Sequence, residues 1–514
     1  MRKAIAVVDL FAGPGGLGEG FSSLKEGVGS TAYFPFRIAL SVEKEPFAHA
    51  TLRLRAFYRL LVLHGRPLTQ YYAYLTGKLR TPYVQETRSL WEQAGEEALQ
   101  LEIGSEGTSR ELHARVKQIQ EQNKHWVLIG GPPCQAYSLV GRARNKGKKD
   151  YKPEEDKRHF LYTHYLELIR QFRPSIFVME NVKGILSSKV SGTGLFGKVL
   201  EDLRAVDSNN GKAYKIYSLV RDKSVYTGPN GAQVDPHDFI VRSELYGIPQ
   251  ARHRVILLGI REDVAPAHFH ALKKKKAKVS LSDALRDLPK LRSGLSREDS
   301  LERWQQVVRE QARSVISSLK ELDDVADQER IGKVLREIAS GDLPFTSRGA
   351  LRTALSKVGP TTFGRKMRDN NLTSVLNHET RGHMEKDLAR YLFAAAYSTV
   401  KGISPSQEKF PKSLAPKHKN WFSGNFADRF RVQLGSEPST TVTCHIGKDG
   451  HYYIHFDPKQ CRSLTVREAA RLQTFPDNYF FEGNRTEQYI QVGNAVPPML
   501  ALQIAKKVRS LLKN

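Results

Sequence analysis

Residues 125–130, HWVLIG, form a short, apolar, β-branched run that stops at Gly131-Pro132-Pro133. A run of that length and composition reads as a buried strand. Prolines cannot continue a sheet ladder, so the strand must end there. Cys134 follows at once, which puts a thiol just past the carboxyl end of a strand, where open α/β sheets hold their ligands. The two prolines also hold its backbone rigid, as a nucleophile requires. Most cysteines outside disulfides are small buried hydrophobes, so the neighbouring runs must decide between the two readings.

Residues 4–11, AIAVVDLF, read as a second buried strand, followed by AGPGGLGEGF, a glycine-rich turn leading into a helix. That arrangement lets backbone approach a nucleotide-like cofactor closely. A third strand, RIALSVE, ends in Glu43, placed to accept hydrogen bonds from ribose hydroxyls. Its distance from the glycine turn exceeds the usual spacing of roughly 20 residues, and a loop over 25–36 takes up the excess. Residues 50–122 are helical in composition. The polar, basic stretch 140–160 reads as a lid closing over nucleic acid. FLYTHYLELIRQF has helical periodicity and stops before Arg173-Pro174; the strand SIFVMENV then delivers Glu180 and Asn181 to the same edge as Cys134. DFIVRSELYGIPQARHRVILLGIR reads as two strands joined by a turn at Gly247-Ile248-Pro249. Gln250, Arg252 and Arg254 reach that edge only if the second strand runs antiparallel to the others, and this is expected.

At 514 residues the chain can bury two or three cores. Its 80 lysines and arginines against 54 acids give a net charge of +26, a surplus that points to a polyanionic partner, nucleic acid first. A membrane surface is the alternative, but no long basic amphipathic helix supports it. Cys134, Cys444 and Cys461 make no CxxC pair and no disulfide framework, which fits a reducing cytosol. The amino-terminal MRKAIAVVDLF imitates a signal peptide, but its apolar core is short and broken by Asp9. No run approaches bilayer length. A soluble, cytoplasmic protein is expected.

From 262 to 460 the character changes: a lysine run at 273–276, helical segments through 340, and a β-rich stretch, STTVTCHIGKDGHYYIHFD, with a hairpin at Lys448-Asp449-Gly450. His378, His383, His445, His451 and His455 lack metal-ligand spacing and are expected at the surface or facing DNA. In SLTVREAARLQTFP, Thr465 and Glu468 form a capping box that starts a helix, with Leu464 and Ala469 as its staple. The closing QVGNAVPPMLALQIAKKVRSLL is an amphipathic helix with Pro497-Pro498 at its start, and it should return to the first domain.

The blocks DLFAGPGG, GGPPCQAYS, MENVKG, QARHR, RSLTVREAARLQTFP and QVGNAVPP, in this order, make the chain resemble the DNA (cytosine-5)-methyltransferases, which use S-adenosylmethionine. The resemblance covers 1–261 and 460–514. It implies an α/β class I methyltransferase (Rossmann-like) fold, a mostly parallel sheet with one antiparallel strand. It also implies a smaller α+β target-recognition domain at 262–460, a catalytic domain at 1–261, and a segment 461–514 that completes the latter. By match to the family's blocks, Asp9, Phe11, Gly13, Gly15 and Gly16 would lie at S-adenosylmethionine, Glu43 on its ribose and Leu161 against it, with Asn494 returning from the carboxyl terminus to complete the site. Glu102 is the candidate acid for the adenine. Lys44 stands where the family often has an aromatic. The catalytic set would be Cys134, Glu180, Arg252 and Arg254, with Arg252 bracing the catalytic loop or a phosphate, and no metal. The implied partner is double-stranded DNA, met by a monomer, in a restriction-modification or other anti-phage setting or as a solitary enzyme. Two alternatives stay open: a tRNA methyltransferase of the same superfamily, and a catalytically dead DNA-binding regulator. The 436–457 stretch is expected to read the target sequence, and the 273–276 lysines to touch phosphates.

Overall fold

The computed structural model describes residues 3–105, 107–133, 158–187, 189–190, 193–205, 214–228, 234–416, 421 and 429–513. Cys134 and all but the last three residues of the expected lid (158–160) lie outside them.

The apolar runs assemble into one nine-stranded sheet. Strand β1 (Ile5–Leu10) lies at its centre, parallel to β2 (Phe36–Glu43) on one side and to β4 (Trp126–Gly130) on the other. Strand β3 (Ala98–Gln100) adds to β2, and β5 (Ile176–Val182) adds to β4, both parallel. Beyond β5, the sheet admits β9 (His253–Arg261) antiparallel, as expected. Strand β6 (Tyr214–Ser218) runs antiparallel to β9 and so with the parallel set, and β7 (Val225–Tyr226) extends the edge. Short β8 (Ile240–Arg242) folds back on β9. The near-continuous burial of β1, β4 and β5 follows from helices covering both faces. On one face lie α3 (Thr108–Gln122), α4 (Arg158–Phe172) and α5 (Leu195–Arg204), around Leu128, Phe177 and Leu200. On the other lie α1 (Gly16–Ser22) and the last helix, Pro498–Leu511, around Val7, Phe21 and Ile504. These two helices cross so closely that a Cβ on Gly20 would stand 2.3 Å from that of Ala501. The carboxyl terminus therefore returns to the first domain. Within 50–122, α2 (Pro46–Leu63) and its followers are helical, but β3 is a strand that the helical composition concealed.

Region 262–460 builds a helical core from α6 (Leu301–Ser318), α7 (Val325–Ser340) and α8 (Glu385–Lys401), centred on Trp304, Leu335 and Leu392. Its β10 (Gly349–Ala354) and β11 (Ser374–Glu379) pair as an antiparallel ribbon. A second core crosses residue 460: Leu281, Leu285, Phe363 and Val442 pack with Leu464, Ala469 and Leu472 around α9 (Val466–Leu472). The capping box of Thr465 and Glu468 starts that helix as predicted.

Two expectations about this region are corrected. The stretch 439–457 is not a hairpin: only Ser439–Thr440 pairs as strand, with Gln250–Ala251, and two 3-10 turns follow, Cys444–Gly447 and His451–Tyr453. Gly450, at φ 76°, separates the turns, and Val442, Ile446, Tyr453 and Ile454 all turn inward instead of alternating. Arg381 donates to the carbonyls of Ile446 and Lys448 at 2.6 and 2.9 Å, so the turn's backbone is tied down while Lys448 and His445 stay exposed. Nor are His378, His383, His451 and His455 at the surface; each is buried. His378 hydrogen-bonds with Thr465 Oγ1 and the Pro289 carbonyl, at 2.8 and 2.9 Å, and His451 with the Tyr391 hydroxyl at 2.8 Å. Burial holds all four below the ordinary histidine pKa, so they serve as neutral packing groups.

Candidate active site

Because β9 is antiparallel, its first residues land at the carboxyl end of β5, with Arg254 opposite Val182. Arg254 Nε stands 2.9 Å from Glu180 Oε1, and the two side chains are 16% and 13% exposed, an ion pair open at one side. The turn that leads to Cys134 is anchored beside it. Asn181 Nδ2 donates to the Pro132 carbonyl at 3.1 Å, and a Cβ on Gly131 would lie 3.0 Å from Glu180 Oε2. The sequence brought Asn181 to this edge without giving it a task; anchoring Pro132 is one.

Arg252 and Gln250 do other work. Arg252 is buried and donates to the carbonyls of Val442 and Gly493 at 2.9 and 3.2 Å, while burial and the charge of Arg254 pull its pKa below the ordinary value. Gln250 donates to the Leu472 carbonyl and accepts from Val442 N–H at 2.7 Å. Both residues brace the edge against region 262–460 and the carboxyl-terminal segment, and only Arg254 meets Glu180.

The glycine turn lies at the carboxyl end of β1. Phe11 and Gly13 have φ 56° and 58°, and Gly15 φ 92°. Gly13 N–H donates to Glu43 Oε2 at 2.8 Å, while Glu43 Oε1 accepts from the N–H groups of Lys44 and Glu45, each at 2.9 Å. One acceptor position of Oε2 is thus left over. Space beside Gly13 is open, whereas a Cβ on Gly15 would meet Leu52 and Tyr479, and one on Gly16 would meet the Val496 carbonyl at 2.1 Å. Gly13 alone of the three therefore offers bare backbone to a ligand; Gly15 and Gly16 are small to let the chain pack. Asp9 is fully buried and accepts from Gly18 N–H at 3.2 Å; its other oxygen has no partner, and burial raises its pKa to about 7. Leu161 of α4 approaches Gly104 in the loop after β3, where Glu102 sits exposed, 3.5 Å from Lys44. Asn494 is exposed between buried neighbours Gly493 and Ala495. A carboxylate with a spare acceptor beside open glycine backbone fits the ribose of a nucleoside cofactor.

The sequence reading passed over Glu19, a buried acid inside the glycine-rich run, paired with Arg55 at 2.5 Å. An acid amid apolar and glycine residues was the available signal. Among the described residues, no group of three or more His, Cys, Asp or Glu could hold a metal, and no helix is long and apolar enough to cross a membrane.

A family model described as C-5 cytosine-specific DNA methylase matches residues 104–510. The type II methyltransferase M.Bpa9945I of Bacillus paralicheniformis is 32% identical over 523 residues, 98% of this chain and 99% of that one. The DNA (cytosine-5-)-methyltransferase M.ApeKI of Aeropyrum pernix is 26% identical over 432 residues, 75% of this chain and 81% of that one. A crystal structure described as a DNA modification methyltransferase encoded within an E. coli prophage superposes with a TM-score of 0.55 at 18% identity, covering 99% of this chain and all of that one. At that identity the likeness is one of fold.

Proposed function

Since this chain belongs to the C-5 cytosine-specific DNA methylases, we propose that it methylates cytosine carbon 5 in duplex DNA through a covalent Cys134 adduct, in a restriction-modification setting. The observation that carries the reading is the Glu180–Arg254 pair, half-open at the sheet edge beside the anchored turn that leads to Cys134. Carbon 5 of cytosine is too weak a nucleophile to take a methyl group unaided. Addition of the Cys134 thiolate to carbon 6 makes an enamine that can. Arginines on this edge favour the thiolate. Glu180 hydrogen-bonds the amino group and nitrogen 3, favouring protonation there as carbon 6 is attacked. Arg254 holds the exocyclic oxygen where negative charge develops. Loss of the carbon 5 proton and expulsion of the thiolate end the turnover. A stacked base cannot present carbon 6, so the target flips out.

S-adenosylmethionine supplies the methyl group. Glu43 and the open backbone at Gly13 would hold its ribose end, with Phe11, Leu161, Glu102 and Asn494 around it. Residues 1–261 with 461–514 form the catalytic part, and 262–460 the target-reading part, with exposed Lys448 and His445 in the 436–457 stretch among the side chains that would face DNA.

Cys134→Ser should abolish methyl transfer and leave cofactor binding intact. Duplex DNA with 5-fluorocytosine at the target should become covalently trapped on the wild type only, because fluorine cannot leave as a proton does. A Cys134→Ser enzyme that methylates at the wild-type rate overturns the mechanism. Replacing 262–460 with the counterpart from a relative of different specificity should transfer that relative's site; an active chimera that keeps the original site places recognition elsewhere.

A further inference from the structure

The glycine turn is held by more than its own sequence. Its Gly13 N–H is fixed by Glu43, and Ala12 N–H by the Val42 carbonyl at 3.1 Å. The Pro14–Gly15 peptide plane is the weak point. Pro14 has no N–H, and Gly15 at φ 92° lets the plane before it rotate at little cost. Rotation would break the bond from Gly15 N–H to the Ala12 carbonyl, now 2.9 Å, which closes the turn. The Pro14 carbonyl is gripped from a distant part of the chain: the Tyr479 hydroxyl, 465 positions away and buried, donates to it.

Tyr479 is itself immobilised. Its ring packs on Phe475 and Phe481, with centroids at 4.7 and 5.5 Å, and the Arg55 guanidinium lies 4.9 Å over it. Arg55 is held in turn by Glu19 of α1, through contacts of 2.5 and 2.9 Å, and by Asn478 Oδ1 at 3.1 Å. Asn478 Nδ2 donates to Asp369 Oδ2 at 2.6 Å, so the support reaches into region 262–460. A buried phenol with a single strong acceptor, clamped by packing on all sides, can hold one peptide plane in one orientation.

We infer that Tyr479 is a positioning residue for cofactor binding: its hydroxyl locks the Pro14–Gly15 peptide so that the glycine turn is already shaped for S-adenosylmethionine. The inference rests on the proposed reading of that turn as the cofactor loop. A turn that must be ordered by its ligand binds less tightly than one already ordered. Loss of the hydroxyl therefore weakens cofactor binding and spares the chemistry on cytosine, which happens at Cys134, Glu180 and Arg254.

The test is Tyr479→Phe, which removes one oxygen and keeps the ring. The control is Tyr74→Phe, which removes a hydroxyl whose bond, 2.6 Å to Glu482 of the same segment, does not involve the turn. S-adenosylmethionine is titrated by calorimetry without DNA, and KM and kcat are measured with saturating duplex. The inference expects Tyr479→Phe to raise the dissociation constant and KM for S-adenosylmethionine about three- to tenfold, the usual worth of one hydrogen bond. It expects kcat, and KM for DNA, at the wild-type value, and Tyr74→Phe to behave as wild type. Unchanged cofactor affinity in Tyr479→Phe overturns it, as does a fall in kcat with KM unmoved, or an equal loss of affinity in Tyr74→Phe. If the wild type itself takes up no S-adenosylmethionine, the reading of the glycine turn fails first and the inference falls with it.

Discussion

Two regions of this molecule use the same side chains for opposite ends. At the sheet edge, QARHR and MENV supply Arg254 and Glu180, paired at 2.9 Å and each more than a tenth exposed. At α9, RSLTVREAARL supplies Arg462 and Glu468, joined by two bonds of 2.7 Å with exposures of 1% and 2%. Arg462 also donates to the Leu291 and Ser463 carbonyls, and Arg471 is shared between Asp287 and Asp477 at 2.6 and 2.7 Å. Every direction in which α9's charges could reach a substrate is already taken. At the edge, one side of the pair is left for a ligand. Residual exposure and unspent hydrogen-bonding capacity, not residue type, separate the open pair from the closed one.

That contrast breaks if substitutions at the two places behave alike. Glu180→Gln should lower kcat by about 10²–10⁴-fold and leave the urea midpoint close to wild type, since the site is open and the replacement isosteric. A comparable loss of stability would make Glu180 architectural too. Glu468→Ala should do the reverse. Stranding Arg462 in the interior should cost about 3–5 kcal/mol of unfolding free energy, with the rate per folded molecule, from active-site titration, near wild type. Because the pair holds the Glu468 pKa below the ordinary glutamate value, its stabilisation is present above the unfolded pKa and lost on acidification; the variant should show a flatter acid limb.

Asp9 sharpens the comparison as a buried acid without a cation bonded to it. Its pKa is raised to about 7 by burial, from 3.8. The folded protein thus holds a proton that the unfolded chain has released, and stability should fall as pH rises from about 4 to 7. Asp9→Asn should remove that slope, gaining on the order of 4 kcal/mol at pH 7, measured by denaturant titration without cofactor. A slope unchanged in the variant would show that Asp9 is already ionised in the fold.

Much of the half that carries the nine-stranded sheet was legible in sequence because a strand buried on both faces writes itself as an unbroken apolar run. β1, β2, β4, β5 and β9 were all read in that way, and the antiparallel sense of β9 followed from where Arg254 had to arrive. β3 was missed because three residues inside a helical stretch leave no period to detect. The 439–457 stretch misled because β-branched residues packing inward from irregular turns have the same composition as a strand. The buried histidines misled because a polar residue's partners do not show in its own neighbourhood: His378 meets Thr465 across 87 positions.

By itself, the sequence determined the order of strands and breaks, and therefore which residues arrive at the carboxyl edge of the sheet. Those properties depend on local periodicity and on prolines and glycines that act where they stand. Only the tertiary structure decided which of the charged residues stay available. Arg252 is spent on Val442, 190 positions away, Arg471 on Asp287, 184 away, and the Tyr479 hydroxyl on Pro14, 465 away. Burial of a charge or a hydroxyl is settled by whether distant groups can satisfy it, and that matching exists only once the chain has folded.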